Sequence, residues 1–297
     1  MEPIILLICL AGLIVGSITD LKTREVPDWI NYSLMFAGFG IAIIYTIINQ
    51  NFQYLIESII GFGFFFAIAL VMYYTGQWGG GDSKMIMGLG ALIGITWPIT
   101  SWFNIDFYTN GFPFLLNFLI YSIVVGATYG LLWSSVLAII NRKKLIKEFK
   151  RLLKTKKIIF YKKILIAILI VGIISQIFVD KNFKIFILTM IMILGITFYL
   201  FIYIKSIEKV CMLKMVSPEK LTIGDWIADD VKINGKIICG PDDLGIEEDQ
   251  IKKLIELKKK GKIKEILIKE GIPFVPSFLI AFLITLFFGS KLFLHFL

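Results

Sequence analysis

The chain has 297 residues, and 57% of them are apolar before its 25 glycines are counted. Glycine raises that share to about 65%, against the 45–50% typical of soluble domains, while charged residues make up only 18%. This composition excludes a disordered chain and an ordinary soluble enzyme, and it indicates an integral membrane protein. The three cysteines form no Cys-x-x-Cys pair, and the single histidine, His295, lies two residues from the end. Zinc ribbons, disulfide scaffolds and histidine-based catalysis are therefore disfavoured.

Eight apolar segments are long enough to be considered as membrane spans, since about 20 apolar residues cross a bilayer as a helix. They cover residues 3–19, 30–49, 54–76, 84–100, 112–140, 164–179, 184–204 and 273–294. The predicted fold is an all-α polytopic membrane protein with about eight transmembrane helices. The first segment lacks a positively charged start and a convincing cleavage site, so we interpret it as a retained span.

The net charge of +9 is concentrated between the predicted spans. Residues 142–163 alone contain 11 Lys and Arg and one acid, Glu148. A nucleic-acid site is disfavoured there, because the cluster lies between two apolar segments and the positive-inside rule explains it. The same rule places the N-terminus outside and the basic segments in the cytoplasm, where they also meet lipid headgroups. The predicted cytoplasmic loops are 20–29, 77–83, 141–163 and 205–272.

These segments divide the chain into a membrane core and additions to it. Residues 205–271 carry 13 of the 22 acids, and they predict a cytoplasmic α+β insert with a helix at 246–260 and strands at 236–239 and 265–268. Its alternative interpretation is a solvated linker domain without chemistry. The predicted units are a transmembrane catalytic core at 1–140, a basic cytoplasmic loop at 141–163, a transmembrane hairpin at 164–204, the insert at 205–271 and a C-terminal helix at 272–297.

Two aspartates lie at the cytoplasmic ends of apolar spans. Asp20 follows the first span, and Asp82 precedes the fourth. Ionisable groups at a membrane boundary are costly, which makes them functional candidates. Two carboxylates brought close share a proton, so that one activates water while the other polarises a peptide carbonyl. Each aspartate has a structural alternative, because Asp also caps helices at span ends.

Small residues surround Asp82 on both sides. The preceding glycines let a substrate strand approach closely, or they form a bare turn. These are Gly79, Gly80 and Gly81. Gly88, Gly90 and Gly94 follow, and their spacing predicts close packing that brings the fourth span near the first.

Both aspartates stand in segments that resemble one family. Gly79-Gly80-Gly81-Asp82 fits the Gly-x-Gly-Asp signature of polytopic aspartyl proteases, and the run GGGDSK is the form found in type IV prepilin peptidases. The run DLKTREVPDW, which starts at Asp20, resembles their other signature, an Asp followed by basic residues and a Pro that enters the next span. Many members have Asn where Asp28 stands, and we interpret Asp28 as the N-cap of the second span beside Pro27.

The resemblance implies a membrane aspartic endopeptidase with Asp20 and Asp82 as its catalytic pair and no metal or cofactor. Such an enzyme removes the short basic leader of pilin-like or archaellin (preflagellin) precursors at the cytoplasmic face of the cell membrane. The run KEGIPFVPSFLIAFLITLFFG looks like the C-terminal region of archaeal members. Bacterial members often carry a four-cysteine loop and also methylate their product. This chain lacks that loop, so the resemblance implies no methyltransferase activity.

Several alternatives stay open. The cations beside the pair, Lys22, Arg24 and Lys84, either tune and orient the carboxylates or anchor the chain at the interface. Five acidic side chains either receive a basic leader or form a solvated surface: Glu25, Asp28, Asp225, Asp229 and Asp230. A transporter with Asp20, Glu57 and Asp82 as ion sites is the competing function, but it predicts inverted repeats and charges near the midplane, and the sequence shows neither.

Overall fold

The computed structural model describes residues 3–94, 114–233, 236–243 and 245–289. Within these ranges a helix stands at every predicted span. The helices are α1 (Pro3–Thr23), α2 (Asp28–Asn49), α3 (Gln53–Tyr74), α4 (Gly80–Gly94), α5 (Phe114–Ile140), α6 (Arg142–Leu153), α7 (Lys156–Ser175), α8 (Lys181–Ile207), α9 (Glu248–Lys259) and α10 (Val275–Phe288). Among the described residues, α1, α2, α3, α5, α7 and α8 are long and apolar enough to cross a membrane, and α4 and α10 are shorter apolar helices. The protein is therefore a multi-pass α-helical membrane protein.

The basic segment 141–163 differs from the predicted loop, because it is largely helical. Helix α6 occupies its first half, and α7 begins at Lys156, eight residues before the predicted span. Leu145 is buried against Ala138 and Ile207, while the Lys and Arg side chains of α6 point outward. Lys and Arg are good helix formers, so a segment rich in them can be helical. The high charge of this segment excludes a fully buried helix but allows an amphipathic one.

The membrane core is built by α1 to α5 and α10, with α4 near its centre. Residues 85 to 94 of α4 are almost entirely buried. Glycines allow this close packing, but their main partners differ from the prediction. Gly88 packs against Leu34 of α2, and Gly90 and Gly94 pack against the backbone of α3 at Gly61 and Glu57. Helix α1 instead meets α4 where Met85 packs against Gly16.

The insert is a small α+β unit whose two ends lie side by side. A π-helical turn at Glu208–Met212 leads from α8 into β1 (Leu213–Val216), which pairs antiparallel with β5 (Ile266–Lys269). Strand β2 (Trp226–Ile227) pairs with the other edge of β5, and β3 (Val231–Ile233) pairs with β4 (Lys236–Cys239). Helix α9 has a capping box between Glu247 and Gln250, and its Leu254 is fully buried. Five residues then connect β5 to α10, so the insert leads directly back to the membrane core.

Candidate active site

Asp20 is a buried carboxylate in the last turn of α1, with only 5% of its surface exposed. Its Oδ2 accepts a hydrogen bond of 2.9 Å from the backbone N–H of Val275, the first residue of α10. The N-terminus of a helix carries partial positive charge and unsatisfied N–H groups, so it is a favourable place for an anion. The C-terminal helix therefore fixes the orientation of Asp20.

Asp82 stands in the first turn of α4 and is held in a similar way. Its Oδ2 accepts a hydrogen bond of 3.0 Å from the backbone N–H of Gly79, just before the helix starts. Within the triple glycine, Gly81 faces the tightest space, because a Cβ there would lie 3.1 Å from the Cβ of Val26. Val26 belongs to the segment that begins at Asp20. The two predicted motifs are therefore packed against each other.

The two aspartates lie at the same end of the core. They are close enough for the charge of Asp20 to act on Asp82. The contact between Gly16 and Met85 lies one turn below each aspartate, which shows that the end of α1 and the start of α4 run side by side. The insert lies at this same end, because its entry at Cys211 contacts Leu137 of α5 and its return at Gly271 contacts Arg24. The structure thus brings together the two groups that the sequence placed 62 positions apart.

Of the three cations named beside the pair, Arg24 is the one whose charge acts on Asp20. Its backbone N–H donates to the carbonyl of Asp20 at 2.9 Å, and its guanidinium lies 5.1 Å from the ring centre of Trp133 on α5. The same guanidinium donates to the carbonyl of Gly271 at 3.2 Å. Arg24 has a φ of 63°, a left-handed conformation that ends α1 and turns the chain toward α2. It therefore ties together α1, α5 and the segment before α10.

Lys84 and Lys22 point elsewhere. Lys84 forms an ion pair of 2.6 Å with Asp28 and lies 5.6 Å from the ring centre of Tyr32, so it faces α2. Lys22 is exposed. The predicted capping role of Asp28 is wrong, because α2 begins at Asp28 itself, Pro27 holds the cap position, and no side-chain cap bond forms.

The remaining acidic candidates fall into two groups. Glu25 and Asp229 are exposed, whereas Asp225 accepts a hydrogen bond from Thr222 and Asp230 pairs with Lys232 inside the insert. Burial raises the pKa of Asp225. Glu57, named for the transporter alternative, lies in the first turns of α3 at the opposite end of the core, where it accepts a hydrogen bond from Gln53.

Two parts of the site were not found from the sequence. Phe274 and Val275 come from the far end of the chain, and Tyr129 and Trp133 come from α5. The two prolines around Phe274 were the available signal, since a Pro at the start of a span marks a helix N-terminus. Among the described residues, no three His, Cys, Asp or Glu side chains form a group able to hold a metal ion.

Comparison with known proteins gives a consistent result. Residues 7–131 match the profile of the type IV leader peptidase family. A preflagellin peptidase from Methanocaldococcus jannaschii is 43% identical over 82 residues, which are 28% of this chain and 35% of that protein. One from Methanococcus maripaludis is 42% identical over 82 residues, with the same shares covered. One from Methanococcus voltae is 32% identical over 125 residues, which are 38% of this chain and 53% of that protein.

The chain thus spans between about a third and a half of the length of the curated relatives it matches. No solved structure matches it. The matched region contains Asp20 and Asp82 with both of their motifs, which confirms the predicted resemblance. Residues 7–131 of this chain are therefore similar to the type IV leader peptidase family.

Proposed function

We propose that this protein is a membrane aspartic endopeptidase that removes the short basic leader from preflagellin or pilin-like precursors. One observation carries the proposal. Asp20 and Asp82 lie at the same end of the membrane core, close enough for their charges to interact, and each is held by a backbone N–H. The names of the matched relatives, which are preflagellin peptidases, support the substrate class.

The chemistry follows from the pair. One carboxylate, ionised, takes a proton from a water molecule as that water attacks the scissile carbonyl carbon. The other carboxyl, protonated, donates a hydrogen bond to the carbonyl oxygen and stabilises the charge that develops there. When the C–N bond breaks, the leaving amine takes up a proton and the new carboxylate leaves with the leader. The bond to Gly79 uses one oxygen of Asp82, so its second oxygen is available for these steps. Asp20 is held by the backbone of both Val275 and Phe274.

We place this site at the cytoplasmic face of the membrane. Both aspartates are at the end of the core from which the insert extends, and the basic helix α6 follows α5 at that same end. Lys and Arg accumulate on the cytoplasmic side of membrane proteins. A basic leader followed by a hydrophobic helix would meet the site there, with its helix in the bilayer and its leader junction at the two carboxylates.

The proposal is tested by cleavage of preflagellin and pilin precursors in membranes that contain the wild type, Asp20→Asn or Asp82→Asn. We expect the wild type to cut before the hydrophobic segment and each variant to lose activity by about 10⁴-fold or more, as for other catalytic groups that act together. Asp28→Asn is the matched control, because it makes the same change in the same motif at an exposed side chain paired with Lys84. It is expected to cut at close to the wild-type rate.

Mass spectrometry of the product identifies the cut and shows whether the new N-terminus carries a methyl group, which we expect to be absent. A folded Asp20→Asn or Asp82→Asn protein that cuts at the wild-type rate would refute the two-carboxylate mechanism. A wild type that cuts no precursor of a panel would refute the proposed activity.

A further inference from the structure

Tyr129 carries a buried hydroxyl for which the described structure offers no hydrogen-bond partner. It stands on α5, where its ring packs against that of Trp133, with 5.9 Å between the ring centres. Nearly all buried polar groups in proteins are hydrogen-bonded, and those that are not often belong to a functional site. The hydroxyl is therefore a hydrogen-bond donor for which the described residues of the resting protein provide no acceptor.

Two contacts and one charge interaction place this hydroxyl near Asp20. Gly126, one turn before Tyr129, packs against the ring of Phe274, the residue before the Val275 N–H that holds Asp20. Trp133, one turn after Tyr129, lies under the guanidinium of Arg24. Tyr129 lies between these two contacts, and its phenol interacts electrostatically with both Asp20 and Arg24.

The neighbouring groups already have partners. The Arg24 guanidinium donates to the carbonyl of Gly271, and the Asp20 carboxylate accepts from Val275. The Tyr129 phenol makes no hydrogen bond to Asp20, although it is close enough for the charge of Asp20 to act on it. Its O–H is thus an unused donor near a carboxylate that is expected to take part in the attack of water on a peptide. An extended peptide brings backbone carbonyl oxygens, which are strong acceptors, into such a space.

We propose that Tyr129 is a substrate-binding residue whose hydroxyl donates a hydrogen bond to a backbone carbonyl of the precursor next to the scissile bond. This inference rests on the proposed peptidase function. The bond forms only when the precursor is bound, and it holds the peptide against Asp20. Because the acceptor is part of the backbone, the interaction serves precursors of different side-chain sequence.

Tyr129→Phe tests this, because it removes the hydroxyl and keeps the ring. Cleavage is expected to fall about 10-fold in kcat/KM, the typical effect of one lost hydrogen bond to a buried acceptor. In an Asp82→Asn background, which binds without cutting, the same change should weaken precursor binding by a similar factor. The melting temperature in detergent should stay at the wild-type value or rise, because the lost group had no partner in the resting protein.

Tyr121→Phe is the matched control on the same helix. The hydroxyl of Tyr121 donates to the carbonyl of Gly289 at 2.8 Å, so its removal should lower the melting temperature. Wild-type cleavage and binding by Tyr129→Phe would overturn the inference. A Tyr129→Phe protein that loses activity together with thermal stability would also overturn it, since the role would then be structural. Failure of the wild type to cut would instead refute the proposed function itself.

Discussion

The close contact between α3 and α4 predicts that one methyl group in the membrane core will disturb the distant Asp82. Gly90 faces the backbone of α3, where a Cβ would lie 2.5 Å from the carbonyl oxygen of Gly61 and 2.8 Å from the buried ring of Phe65. Neither neighbour can move aside easily, because one is helix backbone and the other is fully buried. Ordinary contact begins near 3.4 Å, so Gly90→Ala must separate the two helices by about 0.9 Å.

Two effects of Gly90→Ala should follow. Overpacking of a core typically costs about 1–3 kcal/mol of stability, which should appear as a lower melting temperature in detergent. Asp82 lies two turns away on the same helix, so part of the displacement reaches the proposed catalytic pair. Misplacing a reacting group by about 1 Å can cost about 100-fold in rate, so we expect a loss of cleavage of about 10- to 100-fold at temperatures where the variant is folded.

Gly63→Ala is the matched control for this prediction. It lies two residues from Gly61 on α3, and a Cβ there would meet no heavy atom within 4 Å. It should cut like the wild type and be at least as stable, because Ala is the better helix former. If Gly90→Ala matched Gly63→Ala in both melting temperature and cleavage rate, the α3–α4 contact would not be what holds Asp82 in place.

Two further predictions concern carboxylates. Asp20→Ala leaves the Val275 N–H buried without its acceptor, whereas Asp20→Asn keeps an acceptor oxygen. Both variants should be inactive, but the Ala variant should be less stable than the Asn variant by about 1–3 kcal/mol. Equal melting temperatures for the two variants would contradict this. In the insert, hydrogen bonds from Lys258 and Ser217 lower the pKa of Glu219 to about 2. A lowered pKa stabilises the fold above the ordinary value of 4.5, and this contribution is lost as the pH falls toward about 2. Amide exchange should therefore show α9 more protected in the wild type than in Glu219→Gln at pH 6, with the difference vanishing near pH 2; a constant difference would refute the assignment.

The helices of the membrane were predictable because their signal is local. A run of about 20 apolar residues has few alternatives to a membrane helix. Among the described residues, six of the eight predicted spans contain a helix long and apolar enough to cross a membrane, and the other two contain shorter apolar helices. Helix α9 was equally clear from its acidic first turn and basic last turn. Strands β1, β2 and β3 were not found, since they have two to four residues each and owe their existence to pairing partners elsewhere in the insert.

The candidate site divides in the same way. Asp20 and Asp82 were found because each stands in a short motif, and those motifs lie within the region that matches the family. Val275 was not found, because 255 residues separate it from the carboxylate it binds. No local pattern reports such a contact. Proximity to Asp82 in sequence suggested two alternatives for Lys84, a role at the site or an anchor at the interface, and its side chain pairs with Asp28 on α2.

The structural and functional interpretations of the aspartates turn out to describe one arrangement. Asp82 accepts from an N–H at the start of its own helix, as a capping residue does, and Asp20 accepts from the first N–H of α10. A carboxylate held through one oxygen loses rotational freedom, and its other oxygen can still accept a hydrogen bond from water. A group that activates water requires both properties. In the proposed mechanism, capping therefore does not compete with catalysis; it supplies the fixed geometry that two carboxylates need. The same proposal makes α10, although it lies outside the matched region, part of one functional unit with residues 7–131.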